Sequence, residues 1–180
     1  ERKVCKMNKK YGYIRVAASV PELKVANVVF NVEEIIKEMK NLDKEGVQIV
    51  TFPDLCLTGY TCADLFSQDI LIEQSLVGLE KILNETSKYD IISIIGIPIV
   101  CDNQLFNCAV VINRGEILGI VPKTYIPNYA EFYEKRWFST SNTLRSKSIK
   151  ILGREVPIGI DLVFRDVNDK KCTFGIEICE

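Results

Sequence analysis

The sequence predicts a layered α/β domain, and three observations predict it. Apolar runs of strand length end at prolines or turn signals; two longer stretches carry apolar residues at helical spacing; and the two kinds alternate along the chain. The resulting order is strand, helix, strand, helix, strand, then a hairpin and more strands, which is the pattern of helices layered on a sheet. With 180 residues, 47% of them hydrophobic, one domain with a substantial core is expected.

Residues 1–10 fit no element and read as an N-terminal extension, with the domain running over 11–180. Tyr13 to Val20 alternates as a first strand and stops at Pro21. Asn31, with Glu34 three residues on, reads as a near capping box, and Val32, Ile35, Ile36 and Met39 then form one helical stripe. Gly46 supplies a left-handed stop. Val47 to Phe52 is a short buried strand closed by Pro53. A second helix is predicted from Leu65 to Thr86, with Ile72, Leu76, Leu79 and Leu83 inward. Ile91 to Val100 is an almost unbroken apolar strand, buried on both faces. Phe106 to Ile112 and Glu116 to Val121 flank the turn Asn113-Arg114-Gly115 as a hairpin. The aromatics of Ala130 to Phe138 suit a short helix, and Ser139 to Ser148 reads as a polar loop. Ile158 to Phe164 and Thr173 to Cys179 are predicted to pair around the turn from Asp166 to Lys171.

Composition removes several function classes. The net charge of -1 gives no electrostatic case for nucleic acid or a membrane surface. The apolar run from Asp90 to Val100 is about half the length that crosses a bilayer, and the charged first residues do not make a signal peptide. The seven cysteines are odd in number, irregularly spaced and free of Cys-x-x-Cys pairs. They read as free thiols of a cytoplasmic protein with no metal site, Cys56, Cys101, Cys108 and Cys172 being small core residues. The chain has no histidine, which excludes Cys-His and Ser-His-Asp chemistry.

Three segments carry candidate chemistry. Cys179 ends the apolar run Thr173-Phe-Gly-Ile-Glu-Ile-Cys-Glu180, and a thiol at the edge of a buried strand is held rigidly before any cleft there. Asp54 lies in Thr51-Phe-Pro-Asp-Leu-Cys-Leu-Thr-Gly-Tyr60, and Lys123 in Val121-Pro-Lys-Thr-Tyr-Ile-Pro-Asn-Tyr129. An acid, a lysine and a cysteine in this order make an amide-hydrolysing set. Each also has a plainer reading: a core thiol, a solvated cation, a turn carboxylate after proline. Tyr60 could close a turn, Tyr129 could pack, and Glu134 and Glu180 could be halves of exposed ion pairs.

Together the segments Phe52–Phe66, Pro122–Phe138 and Gly175–Glu180 resemble the three signature regions of the nitrilase (carbon–nitrogen hydrolase) superfamily. More narrowly they resemble the glutaminase domains of the glutamine-dependent NAD synthetases, over nearly the whole chain from Tyr11. The resemblance implies a four-layer αββα sandwich, of which this chain is the N-terminal portion, cut off after the nucleophile segment. It implies Cys179 as nucleophile, Lys123 as the family's lysine and Asp54 as general base. Tyr60, Tyr129, Glu134 and Glu180 fall where these domains contact or frame the substrate. The substrate implied is L-glutamine; ATP and magnesium belong to a synthetase domain of the same parent chain, with no cofactor in this one. A homo-oligomer is also implied. Asp54 departs from the family's glutamate and is about 1 Å shorter, which implies a weakened enzyme unless the loop after Pro53 moves in. Two other readings stay open: a stand-alone amidase, and a non-catalytic assembly module on the same scaffold.

Overall fold

The computed structural model describes residues 13–166 and 172–179. The extension over 1–10, most of the turn up to Lys171, and Glu180 lie outside the described residues.

A five-stranded sheet organises the chain, in sequence order: β1 (Val16–Ala18), β2 (Ile49–Thr51), β3 (Ile92–Cys101), β4 (Gln104–Asn113) and β5 (Glu116–Pro122). The first three strands run parallel and the last three form an antiparallel meander. Parallel neighbours need crossovers, and the helices α1 (Val28–Lys44) and α2 (Asp69–Thr86) lie in them. Both helices cover one face of the sheet, packing Val32, Ile35, Met39, Leu79 and Ile82 onto Ile95, Ile97, Val110 and Ile120. The opposite face carries a second cluster, Ile92, Val111, Leu118 and Val121, capped by Phe164. A hairpin, β6 (Ser148–Ile151) with β7 (Arg154–Pro157), follows the sheet. A two-residue pair, β8 (Phe164–Arg165) with β9 (Thr173–Phe174), ends the described chain. Helices on a sheet, with a further strand pair on its second face, is the start of the layer order expected.

Several elements differ from expectation for identifiable reasons. Helix α1 begins one turn before the predicted cap: Asn27 is the N-cap and accepts from Phe30 N at 3.1 Å. Asn31 is instead buried inside the helix, where its amide donates to the carbonyls of Lys24 and Leu57. The predicted stop is present, since Gly46 has φ 74° and the pair Gly46 N to Asp43 O and Val47 N to Leu42 O closes a Schellman motif. The second helix is split: Ala63–Ser67 is a 3-10 turn, and extended Gln68 separates it from α2. Leu79 and Leu83 are buried as predicted, but at the start of the helix Leu71 and Ser75 take the inward places of Ile72 and Leu76, and Gly78 lets the helix settle between Val28 and Val32 of α1. The strands before Pro21 and Pro53 are each only three residues long. The aromatic segment is not a helix but one 3-10 turn, Glu134–Arg136.

Two hairpin turns escaped the sequence reading. Asp102-Asn103 joins β3 to β4 with φ 51° and 58°, and Leu152-Gly153 joins β6 to β7 with φ 48° and 74°. Both are two-residue left-handed turns like the predicted Arg114-Gly115. Residues 158–163 are not a strand, and Ile158 makes a single bridge to Ile120. The last segment is a strand only at Thr173–Phe174, because its partner β8 is two residues long. Beyond it exposure alternates, with Ile176 packed inward and Glu177 and Cys179 exposed, so the expected buried strand is half-exposed. Cys172 is likewise only half-buried, whereas Cys56, Cys101 and Cys108 are buried as predicted.

Two details bear on the site. Val111 pairs with Gly119 and Ile112 with Ile117, leaving Leu118 as the extra residue of a β-bulge. Gly96 of β3 lies under the Pro53–Leu55 backbone; a Cβ there would stand 2.3 Å from Leu55 N and 2.6 Å from Pro53 O. Gly96→Ala is therefore expected to cost about 2 kcal/mol or more, as overpacking against rigid backbone does, read as a lower urea midpoint.

Candidate active site

Lys123 directly follows β5, and its backbone is pinned on both sides. Its N–H donates to Asn107 O at 2.8 Å and its carbonyl accepts from Ser141 N at 3.0 Å. The side chain is 1% exposed. Its ammonium donates to Asp54 Oδ2 at 2.9 Å and to Glu134 Oε1 at 2.8 Å. The Tyr60 hydroxyl donates a short hydrogen bond to the same Glu134 oxygen. Burial pushes the Lys123 pKa down, but the two carboxylates outweigh it and hold it above the ordinary lysine value. Burial and the bond to Glu134 raise the Tyr60 phenol as well. Both donors therefore keep their protons at neutral pH.

Asp54 sits in the turn after β2. Leu55 adopts φ 52° and Gly59 φ 84°, and Thr58 N and Gly59 N both donate to Leu55 O. Asn31 of α1 reaches this turn through Leu57 O, and Cys56 Sγ approaches Gly96 O at 3.6 Å. Helix and sheet thus hold the turn from opposite sides, which brings the short aspartate within hydrogen-bonding distance of Lys123. Burial pushes the Cys56 thiol up to about 12, so this cysteine is an inert packing residue.

Cys179 is exposed and has φ 48°, a left-handed conformation that a non-glycine side chain adopts at a cost. It lines a cleft of about 660 Å³ together with Asp54, Tyr60, Lys123, Tyr129 and Phe132. The three head groups singled out from the sequence thus share one cavity. Tyr129 is 69% exposed at its rim and meets Phe132 edge-on. Glu134 is enclosed, and it reaches the cleft's groups through its bonds to Lys123 and Tyr60. Glu180 lies outside the described residues. Asp54 Oδ1 and Glu134 Oε2 have no hydrogen-bond partner among the described residues, and one ammonium serves both carboxylates. The sequence reading missed this second partnership of Lys123, the packing role of Gly96 and the tie made by Asn31. Nothing in the local sequence signals any of them. Among the described residues no group of three histidine, cysteine, aspartate or glutamate side chains could hold a metal ion. No helix among them is long and apolar enough to cross a membrane.

This α/β fold, with acid, lysine and cysteine around one cleft, is that of a carbon–nitrogen hydrolase, and the chain belongs to that family, whose model matches residues 15–180. A more particular similarity is to the glutamine-dependent NAD(+) synthetase of Mycobacterium tuberculosis. It is 32% identical over 170 residues, which make up 94% of this chain and 25% of that protein. The crystal structure of a glutamine-dependent NAD(+) synthetase from Cytophaga hutchinsonii superposes with a TM-score of 0.82 at 27% identity, over 92% of this chain and 28% of the other. An amidase from Nesterenkonia sp. AN1 shares the fold, with a TM-score of 0.63 at 18% identity over 79% of this chain and 53% of its own. The chain spans about a quarter of the length of the synthetase relatives it matches.

Lys123→Met removes the one cation between two enclosed carboxylates, and a broken buried pair costs about 3–5 kcal/mol. Urea unfolding at neutral pH is expected to show a loss on that scale in the variant. In the native protein the Lys123 contribution is complete below pH 10.5 and is lost above it, as pH rises through the raised folded value.

Proposed function

We propose that this chain is the glutamine-hydrolysing part of a glutamine-dependent NAD synthetase, releasing ammonia for amidation of deamido-NAD elsewhere in the parent protein. The observation that carries it is Lys123, buried between Asp54 and Glu134 on the wall of the cleft that also holds Cys179. The similarity to glutamine-dependent NAD(+) synthetases along 94% of the chain supports the choice of substrate.

In this reading Asp54 accepts the thiol proton and the sulfur attacks the side-chain amide carbon of glutamine. The carbon–nitrogen bond breaks as the proton passes to the leaving nitrogen, so ammonia departs and a glutamyl thioester remains. Water, deprotonated by the same carboxylate, then releases glutamate and restores the thiol. Lys123 stabilises the oxyanion, aided by a backbone N–H beside Cys179. Its second carboxylate, Glu134, keeps it protonated while Asp54 exchanges protons, so the base can turn over without the cation being lost. Tyr60, Tyr129 and Glu180 frame the glutamine. ATP and magnesium are assigned to the synthetase domain. The reading places the protein in the cytoplasm, supported by the free cysteines of the described residues. It also takes the parent protein as a homo-oligomer, supported by the exposed Val29, Ile70 and Val77 of the helix layer.

Glutamate release by the full-length protein is the test. Cys179→Ala abolishes it, and Asp54→Asn lowers it by about 100-fold or more, the scale of a lost general base. A diazo-ketone analogue of glutamine labels Cys179 in the native protein; an unlabelled thiol and no glutamate release would favour a non-catalytic module. Asp54→Glu, which restores the missing methylene, is expected to raise turnover toward 100-fold, the scale that a 1 Å misplacement costs. No gain in rate would remove Asp54 from the role of base.

A further inference from the structure

Glu134 is held in a weak element. Its 3-10 turn is three residues long, has no side-chain cap, and starts from Tyr133 in an irregular conformation. Such a turn has little stability of its own, yet it must hold a carboxylate within 2.8 Å of Lys123. What holds it lies outside the cleft. Asp64, in the 3-10 turn Ala63–Ser67, accepts from Arg136 Nε at 2.6 Å and Arg136 Nη2 at 3.0 Å, and from Trp137 Nε1 at 2.8 Å. Beneath it, Phe66 packs on Trp137 and Phe138 with ring centroids 5.9 and 4.8 Å apart.

The plainer reading is an ordinary surface ion pair. Asp64 and Arg136 are 66% and 61% exposed, and a lone exposed pair adds little to stability. Two features argue for more. The fork is bidentate and takes a third, neutral donor from the indole, so its geometry is fixed in a way that a flexible lysine pair is not. Its position matters as well: Asp64 is four residues from Tyr60 and Arg136 two residues from Glu134, and Tyr60 and Glu134 meet at a shared hydrogen bond. The clamp therefore closes a small loop of contacts whose inner end is Lys123. Its bonds to Arg136 and Trp137 hold the Asp64 carboxyl at about 2. The clamp's contribution is therefore complete above pH 3.8 and is lost below it, as pH falls toward about 2.

We propose that Asp64 is a positioning residue: by holding Arg136 and Trp137 it keeps Glu134 on Lys123, and so sets the pH range over which that cation stays charged. The activity arm of its test rests on the glutaminase reading; a second arm does not.

In the full-length protein, Asp64→Ala is expected to lower kcat/KM for glutamine by about tenfold, part of the loss that 1 Å of misplacement brings, and to move the alkaline limb of the pH profile to lower pH. Arg136→Gln, approached from the other side of the clamp, moves it the same way and replaces the first variant if Asp64→Ala fails to fold. Because Asp64 acts through Glu134, adding Asp64→Ala to Glu134→Gln costs nothing further. An unmoved alkaline limb, or losses that add, overturns the proposal. If the native protein does not hydrolyse glutamine, the glutaminase reading falls but the clamp is still judged. Competitive acylation of Lys123 by acetic anhydride, followed by peptide mass mapping across pH, reports the titration of Lys123 without substrate, since only the neutral amine reacts. An alkaline inflection at lower pH in Asp64→Ala supports the clamp, and one at the native position refutes it.

Discussion

The structure turns on one ammonium group taken out of water. Burying an isolated lysine is costly, and a paired one persists only where its partners are held in place. Lys123 meets that condition with two carboxylates at 2.8 and 2.9 Å, each brought by a different part of the chain. Asp54 comes from the turn after β2, Glu134 from the aromatic segment after β5, and Lys123 from the end of β5 itself. Three loops at one end of the sheet are thus tied by charge.

The ties behind these loops explain how a short acid can serve. The Asp54 turn is pressed onto β3 by the absence of a side chain at Gly96, and it is held toward α1 by the Asn31 amide on Leu57 O. These contacts are backbone and core contacts, far less adjustable than a side-chain rotamer. The carboxylate therefore reaches Lys123 although it is one methylene shorter than the glutamate of the family pattern. Reach toward the cation and reach toward the thiol are separate demands, and the first is met here.

Much of this was legible in the sequence, and the failures share a cause. The alternation of strand and helix followed by a hairpin, the Gly46 stop and the Arg114-Gly115 turn follow from local patterns that nothing distant overrides. The group of Asp54, Lys123 and Cys179 was legible because the three segments occur in order, although each residue alone has a plainer reading. What local pattern could not supply was decided by contacts distant in sequence. Asn31 looked like a cap because its partner Leu57 lies 26 residues away. The first half of the α2 stripe was misplaced by one residue because Gly78 is selected by the side chains of another helix. Glu134 looked like a surface acid because only the fold shows that the turn carrying it closes over Lys123. The final strand was overestimated because alternation alone does not say how long a partner strand will be.

The bulge at Leu118 has a consequence some way down the chain. Side chains alternate between the two faces of a strand, but Leu118 and Gly119 both look toward the Phe164 side. That single repeated beat exchanges odd for even along the rest of β5, placing Val121 in the cluster under Phe164 rather than toward the helices, with Lys123 two positions on. Loss of that leucine would only restore a regular ladder and leave Lys123 on its face, whereas loss of one residue between Gly119 and Lys123 would turn the ammonium into the hydrocarbon beneath α1 and α2. The chemistry thus depends on counting as much as on residue identity, and a one-residue deletion here would be far more damaging than most substitutions.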